Sequence, residues 1–438
     1  MTEEEALIEF VTSQRWFGAK TRTVTHAAEI DRVPLRDTDP VLDLQLVELR
    51  FDTGTHETYQ LLTDESYDAL VDPRHVRELV HMMRMGAKVP GREGVVELAA
   101  AAGLAGVGPE LRSARALDAE QSNTSVVFDD ALILKVFRRL APGLNPELEV
   151  LRFLTERGFE NIAPLAGWYA YGGGRIDATL GILQAFVADG LDGWELALDT
   201  MGDGRGGVLP HLRRLGEVTG RLHSTLGSDS DDPTFAPEDT SVEALGLLAA
   251  TVDEEIARMF LGLPGDEPAV DPIRGRGEEV REKLRQLTSA TAVGRVIRNH
   301  GDFHLGQTLW TGDDWVILDF EGEPARPFSE RRRKHSPLRD VAGMMRSLAY
   351  AASVSELVRG VEPPAGWEER ARSAFLDGYG SAVDPSLVPS GVSLDRLLAV
   401  FELEKAVYEL RYELDHRPDW VRIPVAGIER LLEQQVPG

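Results

Sequence analysis

The sequence predicts an α+β chain whose first part is rich in short strands and whose last part is mainly helical. Three observations lead to this. Up to about residue 187, short apolar or alternating runs recur, as in Val126 to Phe137 and Leu180 to Val187. Beyond that point apolar residues return at helical spacing, as in Leu215, Val218, Leu222 and Leu226, and again in Val400, Leu403, Val407, Leu410 and Leu414. Among those helices lies one exception, Asn299 to Glu323, where a polar loop runs into a short apolar strand that ends on an acid. The chain is accordingly divided at 1–115, 116–187 and 188–438.

With 438 residues, 42% hydrophobic and 27% charged, the chain has the composition of an ordinary globular protein with a large core. A formal charge of −26 leaves no general basic face for nucleic acid or anionic membrane. The absence of cysteine excludes disulfides, thiolate metal sites and cysteine catalysis. The start, MTEEEALIEF, is acidic and carries no basic region followed by an apolar run, and a cytoplasmic location is expected. A monomer or homodimer is expected.

Glu3 to Trp16 is read as an amphipathic helix with Leu7, Phe10 and Val11 on one side. Val41 to Phe51 alternates as a strand and pairs with Thr58 to Leu62 across Thr53-Gly54. His75 to Met85 reads as a helix whose Met82, Met83 and Met85 pack. Val126 to Phe137 is a hairpin turning at Asp129-Asp130, and a helix starts at Asn145-Pro146, with proline at a first helical position. Further helices are expected at Leu212 to Leu226, where His223 packs or pairs, and at Val242 to Leu263 and Gly277 to Leu287. Ser228 to Asp239 reads as an exposed loop. Ser336-Pro337 opens a helix as cap and first residue, with Leu338, Val341, Met345 and Leu348 inward. Leu394 to Leu414 carries Phe401, Glu404 and Tyr408 on a stripe beside its buried one, and Ala426 to Gln434 forms the last helix. Arg417-Pro418-Asp419-Trp420 is a turn that exposes an aromatic ring.

Lys135 is anomalous inside the apolar strand Ala131 to Phe137, because its amine must reach solvent or find an anionic partner. Glu147 or Glu149, at the start of the following helix, is placed to hold it, as a kinase strand lysine is held by a helix glutamate. Upstream, the loop Glu120 to Ser125 has no glycine, but Ser122, Asn123 and Ser125 offer small polar groups suited to covering phosphates. Leu180 to Val187 stands where a kinase joins its lobes and presents backbone groups to adenine, which marks Gln184, Phe186 and Val187.

The stretch NHGDFHLGQTLWTGDDWVILDFEGE combines Asp302 in a polar loop with Asp319 at the end of an apolar run. Protein kinases place a catalytic aspartate and a metal-binding amide five residues apart, then a second metal-binding aspartate just after a strand. Asp302 and Gln307 have that separation, and Asp319-Phe320-Glu321 follows the strand. Phosphoryl transfer requires such groups, since Mg2+ takes oxygen ligands while a base orients the acceptor hydroxyl.

Glu120 to Ser125, Ile133 to Arg139, His300 to Gln307, Asp319 to Pro324, Ser336 to Met344, Arg417 to Trp420 and Arg15-Trp16-Phe17 together resemble the bacterial maltokinases and the related actinobacterial glucosamine kinases. The resemblance spans nearly the whole chain. It implies a two-lobed, protein-kinase-like fold of the aminoglycoside phosphotransferase type. Residues 1–115 would form the cap and intermediate subdomains, 116–187 the rest of the ATP-binding lobe, and 188–438 the helical lobe with the catalytic loop. It also implies that Lys135 contacts ATP phosphates, that Asp302 is the base, that Gln307 and Asp319 bind Mg2+, and that His300, Glu404 and Trp420 contribute to a sugar site.

The chain departs from the maltokinase pattern in a shorter segment between Leu62 and Gly108, in Asn299 before the His-Gly-Asp triplet, and in Glu404 where aspartate is common. The first change alters the cap, and Glu404 reaches farther than aspartate toward an amine. The expected activity is therefore ATP-dependent phosphorylation of a free sugar, with glucosamine favoured and maltose as the alternative. An aminoglycoside acceptor and a sugar-binding pseudokinase are the remaining readings.

Overall fold

The computed structural model describes residues 2–39, 41–64, 68–70, 72, 74–108, 110–117, 123–201, 207–288, 293–324 and 326–433. Chain contacts separate two units, Met1–Asp189 and Gly190–Gly438.

The first unit contains α1 (Glu3–Ser13), β1 (Val24–Arg36), β2 (Leu42–Phe51), β3 (His56–Thr63), α2 (Arg77–Met85), β4 (Lys88–Pro90), β5 (Gly94–Ala100), β6 (Ala114–Leu117), β7 (Asn123–Phe128), β8 (Leu132–Phe137), β9 (Arg139–Leu140), α3 (Pro146–Glu156), β10 (Leu165–Gly173) and β11 (Asp177–Ala185). Thr2 and Glu5 cap α1 reciprocally, each side chain accepting from the other's N–H. One sheet has the order β1-β2-β3-β9, and Val11 of α1 with Trp16 and Phe17 just after it pack in one core with Leu49 and Tyr59 of the sheet. The second has the order β4-β5-β10-β11-β8-β7-β6, so residue 115 falls within a strand of that sheet. Buried Asp31 ties the two sheets together. It leaves β1 to accept from the N–H groups of Arg92 and Glu93 and from the Tyr171 hydroxyl on β10.

The second unit contains β12 (Leu191–Asp192), α4 (Gly193–Met201), α5 (Leu209–Leu226), β13 (Glu238–Asp239), α6 (Val242–Leu261), α7 (Gly277–Thr288), β14 (Arg295–Val296), β15 (Thr308–Trp310), β16 (Trp315–Ile317), α8 (Phe328–Arg331), α9 (Leu338–Leu357), α10 (Trp367–Ala382), α11 (Val392–His416) and α12 (Arg422–Glu433). One apolar core joins α6, α7, α11 and α12 through residues such as Ile256, Leu284, Leu403 and Ile428. No helix among the described residues is long and apolar enough to cross a membrane.

Several elements differ from expectation for identifiable reasons. β1, β5, β10, α4 and α10 are not anticipated by the pattern. β1 is an edge strand broken by three register shifts and by Pro34, which hide its alternation. Met85 is exposed, since it ends α2 beside the left-handed Gly86, whereas Met82 and Met83 are buried. α9 starts one residue later than expected, at Leu338, and Ser336 instead turns its Oγ to the Leu338 N–H. α12 begins at Arg422, because Pro424 is tolerated in a first turn, and the expected last residue, Gln434, lies outside the described residues. Within the loop at 228–239, Phe235 is buried and Glu238–Asp239 pairs with β14.

α5 and α10 touch backbone to backbone. A Cβ on Gly378 would lie 1.9 Å from the Arg213 carbonyl oxygen, and one on Gly216 would lie 2.0 Å from that of Phe375. Gly378→Ala is therefore expected to lower stability by about 1–3 kcal/mol in spite of alanine's higher helix propensity. The denaturant midpoint measures this, and a stabilised variant would contradict the close contact.

Candidate functional site

In the first unit, β8 carries Lys135 between two apolar strands, opposite Ser125 on β7 and Ile182 on β11. Its Nζ donates to Glu147 Oε2 at 2.9 Å, both side chains being largely buried. Asn145 fixes the glutamate's position by capping α3, its Oδ1 accepting from the Glu147 N–H at 2.7 Å. Of the two expected partners, the pair seen is thus Lys135–Glu147, and Glu149 is buried in the same helical turn. Asn123 begins β7 and Ser125 is fully buried, whereas Ser122 lies outside the described residues. Gln184 turns its amide to the Ala163 carbonyl at 3.2 Å, and the Phe186 N–H donates to the Ala131 carbonyl at 2.8 Å. That N–H is engaged within the protein, and the stretch through Val187 is half-buried.

In the second unit the loop at 299–304 is held by one carboxylate. Asp340, in the first turn of α9, accepts from the His300 N–H at 2.8 Å, the Gly301 N–H at 2.9 Å and His223 Nε2 at 3.1 Å. Gly301 has a φ of 85°, so the loop turns sharply there. Burial pushes the Asp340 carboxyl up, but His223 and the loop amide outweigh it and hold the group below the usual carboxylate range. The Tyr379 hydroxyl on α10 meets His223 Nδ1 at 3.0 Å, and burial together with Asp340 keeps this phenol protonated.

His300 is fully buried between the rings of Phe303 and Phe320. Its Nε2 donates to the Leu318 carbonyl at 2.8 Å, and its Nδ1 accepts from the Asp302 N–H at 3.4 Å. The imidazole therefore links the loop to the strand that follows, with both ring nitrogens engaged within the protein. His304 similarly accepts from the Gly306 N–H at 3.1 Å, and burial lowers its pKa, keeping it neutral.

After β16 the Leu318 N–H returns to the Gln307 carbonyl at 2.9 Å. Asp319 then adopts a left-handed φ of 59°, a conformation that aspartate tolerates better than most side chains. Gln307 Nε2 donates to Asp319 Oδ2 at 3.2 Å, and a Glu321 carboxylate oxygen lies within 4.8 Å of one from Asp319. Carboxylate and amide oxygens suit a hard divalent cation such as Mg2+. Glu321 is the addition to this set that the sequence spacing did not single out.

Asp302 and Glu404 border a cavity of about 120 Å³ inside this unit, with Asn299, Glu255, Lys405 and Tyr408 among its other walls. Lys405 Nζ stands 3.7 Å from Asp302 Oδ1, and Arg339 donates to Glu404 at 2.8 Å. Phe401, Glu404 and Tyr408, the stripe beside the buried face of α11, all line this space. Trp420 does not line it. At 1.5 Å per residue, the end of α11 is about 18 Å along the axis from Glu404, and Trp420 there stacks on Arg417 and faces Tyr350.

One unit thus offers a buried, glutamate-held lysine, and the other an acidic loop with oxygen ligands, and each is a part that phosphoryl-transfer proteins of kinase type use. Residues 113–359, more than half of the chain, match the phosphotransferase enzyme family, and residues 10–82 match the maltokinase N-terminal cap domain. The chain belongs to the phosphotransferase enzyme family. A glucosamine kinase of Streptacidiphilus jiangxiensis is 28% identical over 336 residues, covering 74% of each chain. One from Mycolicibacterium smegmatis is 26% identical over 332 residues, covering 74% of this chain and 80% of its own. The solved structure of a glucosamine kinase in complex with glucosamine, ADP and inorganic phosphate aligns over 97% of this chain and 98% of its own, with a TM-score of 0.73 and 22% identity, a likeness of fold.

Removing the Asp340 charge should loosen the loop. Asp340→Asn is expected to cost about 3 kcal/mol or more of stability at pH 7, as when one partner of a buried pair is lost. Because the native carboxyl titrates below its unfolded value, its contribution is complete above that value and fades as pH falls through the folded one. Denaturation midpoints should therefore differ most near neutrality and converge toward pH 3; a gap that widens in acid would contradict the assignment.

Proposed function

We propose that this chain is an ATP- and Mg2+-dependent sugar kinase whose acceptor is glucosamine, giving glucosamine 6-phosphate. The observation that carries the reading is that Asp302 and Glu404 line one cavity while Gln307 is hydrogen-bonded to Asp319. The curated relatives at 28% and 26% identity are glucosamine kinases and support the same acceptor. The cap domain shared with maltokinases keeps maltose as the second reading.

In this mechanism Asp302 accepts the proton of the acceptor hydroxyl as that oxygen attacks the γ-phosphorus. The bond from phosphorus to the β–γ bridging oxygen breaks and ADP departs, without a phosphoenzyme. Lys135, held by Glu147, contacts the ATP phosphates. Asp319 and Gln307 would hold Mg2+, which offsets phosphate charge when bound.

Asp302→Asn is expected to lower kcat by about 10²- to 10⁴-fold with little change in ATP affinity, and Asp319→Asn to raise the Mg2+ requirement or abolish turnover. Steady-state kinetics across Mg2+ concentrations measure both, and an Asp302→Asn enzyme of near wild-type turnover would end the base assignment. A panel of glucosamine and maltose with Mg-ATP, with products mapped by phosphorus-coupled NMR, identifies the acceptor. Maltose 1-phosphate as the product would replace the first reading with the second.

A further inference from the structure

The cavity bordered by Asp302 and Glu404 is unevenly charged. Its lining cations each face a carboxylate. Arg339 donates to Glu404 at 2.8 Å, Arg326 to Glu323 at 2.7 Å, Lys405 stands 3.7 Å from Asp302, and Arg331 stands 3.7 Å from Glu321. His335 adds no charge at neutral pH, because burial, with Arg339 and Arg326 nearby, lowers it to about 4. Glu255 of α6 lines the same space and makes no hydrogen bond or ion pair among the described residues. Burial, and then the charge of Glu404, push its carboxyl above the ordinary value, with Arg258, Arg326 and Arg411 pulling the other way. Two carboxylates that repel each other at one cavity favour a cation there.

Asn299 supplies a second, independent deficit. The residue is only 7% exposed and its Nδ2 has no hydrogen-bond acceptor, although the residue lines the cavity. A buried N–H left unpaired costs about 1–3 kcal/mol. A ligand oxygen would remove that cost. One small molecule with an ammonium group and several oxygens meets both deficits.

We propose that Glu255 takes the ammonium group of an amino-sugar acceptor and that Asn299 donates through Nδ2 to a ring or hydroxyl oxygen of the same sugar. This rests on the reading of the chain as an amino-sugar kinase and specifies how the amine is recognised. Glu255 then sets selectivity against the neutral sugar of equal size, while Asn299 serves both.

The test uses the full chain with Mg-ATP and compares glucosamine with glucose, taking glucose's inhibition constant where its turnover is too slow. Glu255→Gln should lower the selectivity for glucosamine over glucose by about 10-fold or more, through KM rather than kcat. Glu255→Asp should lose less. Asn299→Leu should raise KM for both sugars and leave their ratio near the wild-type value. Melting curves establish that each variant is folded, and the aspartate variant carries the test if the glutamine variant is not. Selectivity within twofold of wild type in a folded Glu255 variant would overturn the proposal while leaving the glucosamine reading intact. A wild-type enzyme that prefers glucose or maltose would overturn both.

Discussion

The carboxylate of Asp340 is buried at the start of α9 and accepts from two successive backbone N–H groups of the loop that presents Asp302. A buried charge persists only where it is fully hydrogen-bonded, so the loop and the carboxylate determine each other's position. His223 on α5 supplies the third donor, and Tyr379 on α10 stands behind it. Three helices thus converge on one short loop. The glycine contact between α5 and α10 contributes at a distance, since a wider separation of those helices would move Tyr379 and His223 apart.

From this anchor the rest of the loop follows. His300 reaches from the anchored backbone to the Leu318 carbonyl, which fixes the loop against the strand that ends at Asp319. Gln307 completes the connection through its own backbone and side chain. The acidic groups are therefore placed by hydrogen bonds from the backbone and from His300 and Gln307, against their mutual repulsion. Lys405 and Arg339 come from α11 and α9 and temper that repulsion at the cavity wall.

Much of the chemistry is readable before the fold, because phosphoryl transfer demands particular side chains at particular separations. Asp302, Gln307 and Asp319 stand out for that reason, as does a lysine inside an apolar strand. Asp340 does not, since its partner is backbone almost forty residues earlier and backbone leaves no mark on residue choice. Glu255 is an ordinary polar residue until the cavity is seen, and Asn299, legible only as a departure before the His-Gly-Asp triplet, gains a use there. His300 and Trp420 lie outside the lining of that cavity for different reasons: the imidazole is hydrogen-bonded inside the protein, and the indole sits at the far end of α11. The edge strand β1 and the helix α10 are obscured by charges, bulges and glycines that packing requires, and by which simple periodicity is blurred.

The Asp340 carboxylate immobilises the loop, and amide hydrogen exchange tests this at the atoms concerned. In the wild-type protein the His300 and Gly301 amides should exchange as slowly as core helical amides of the same unit. In a folded Asp340→Ala variant they should exchange faster by orders of magnitude while the α11 amides stay protected. Equal protection in both proteins would show that the loop is held by something else.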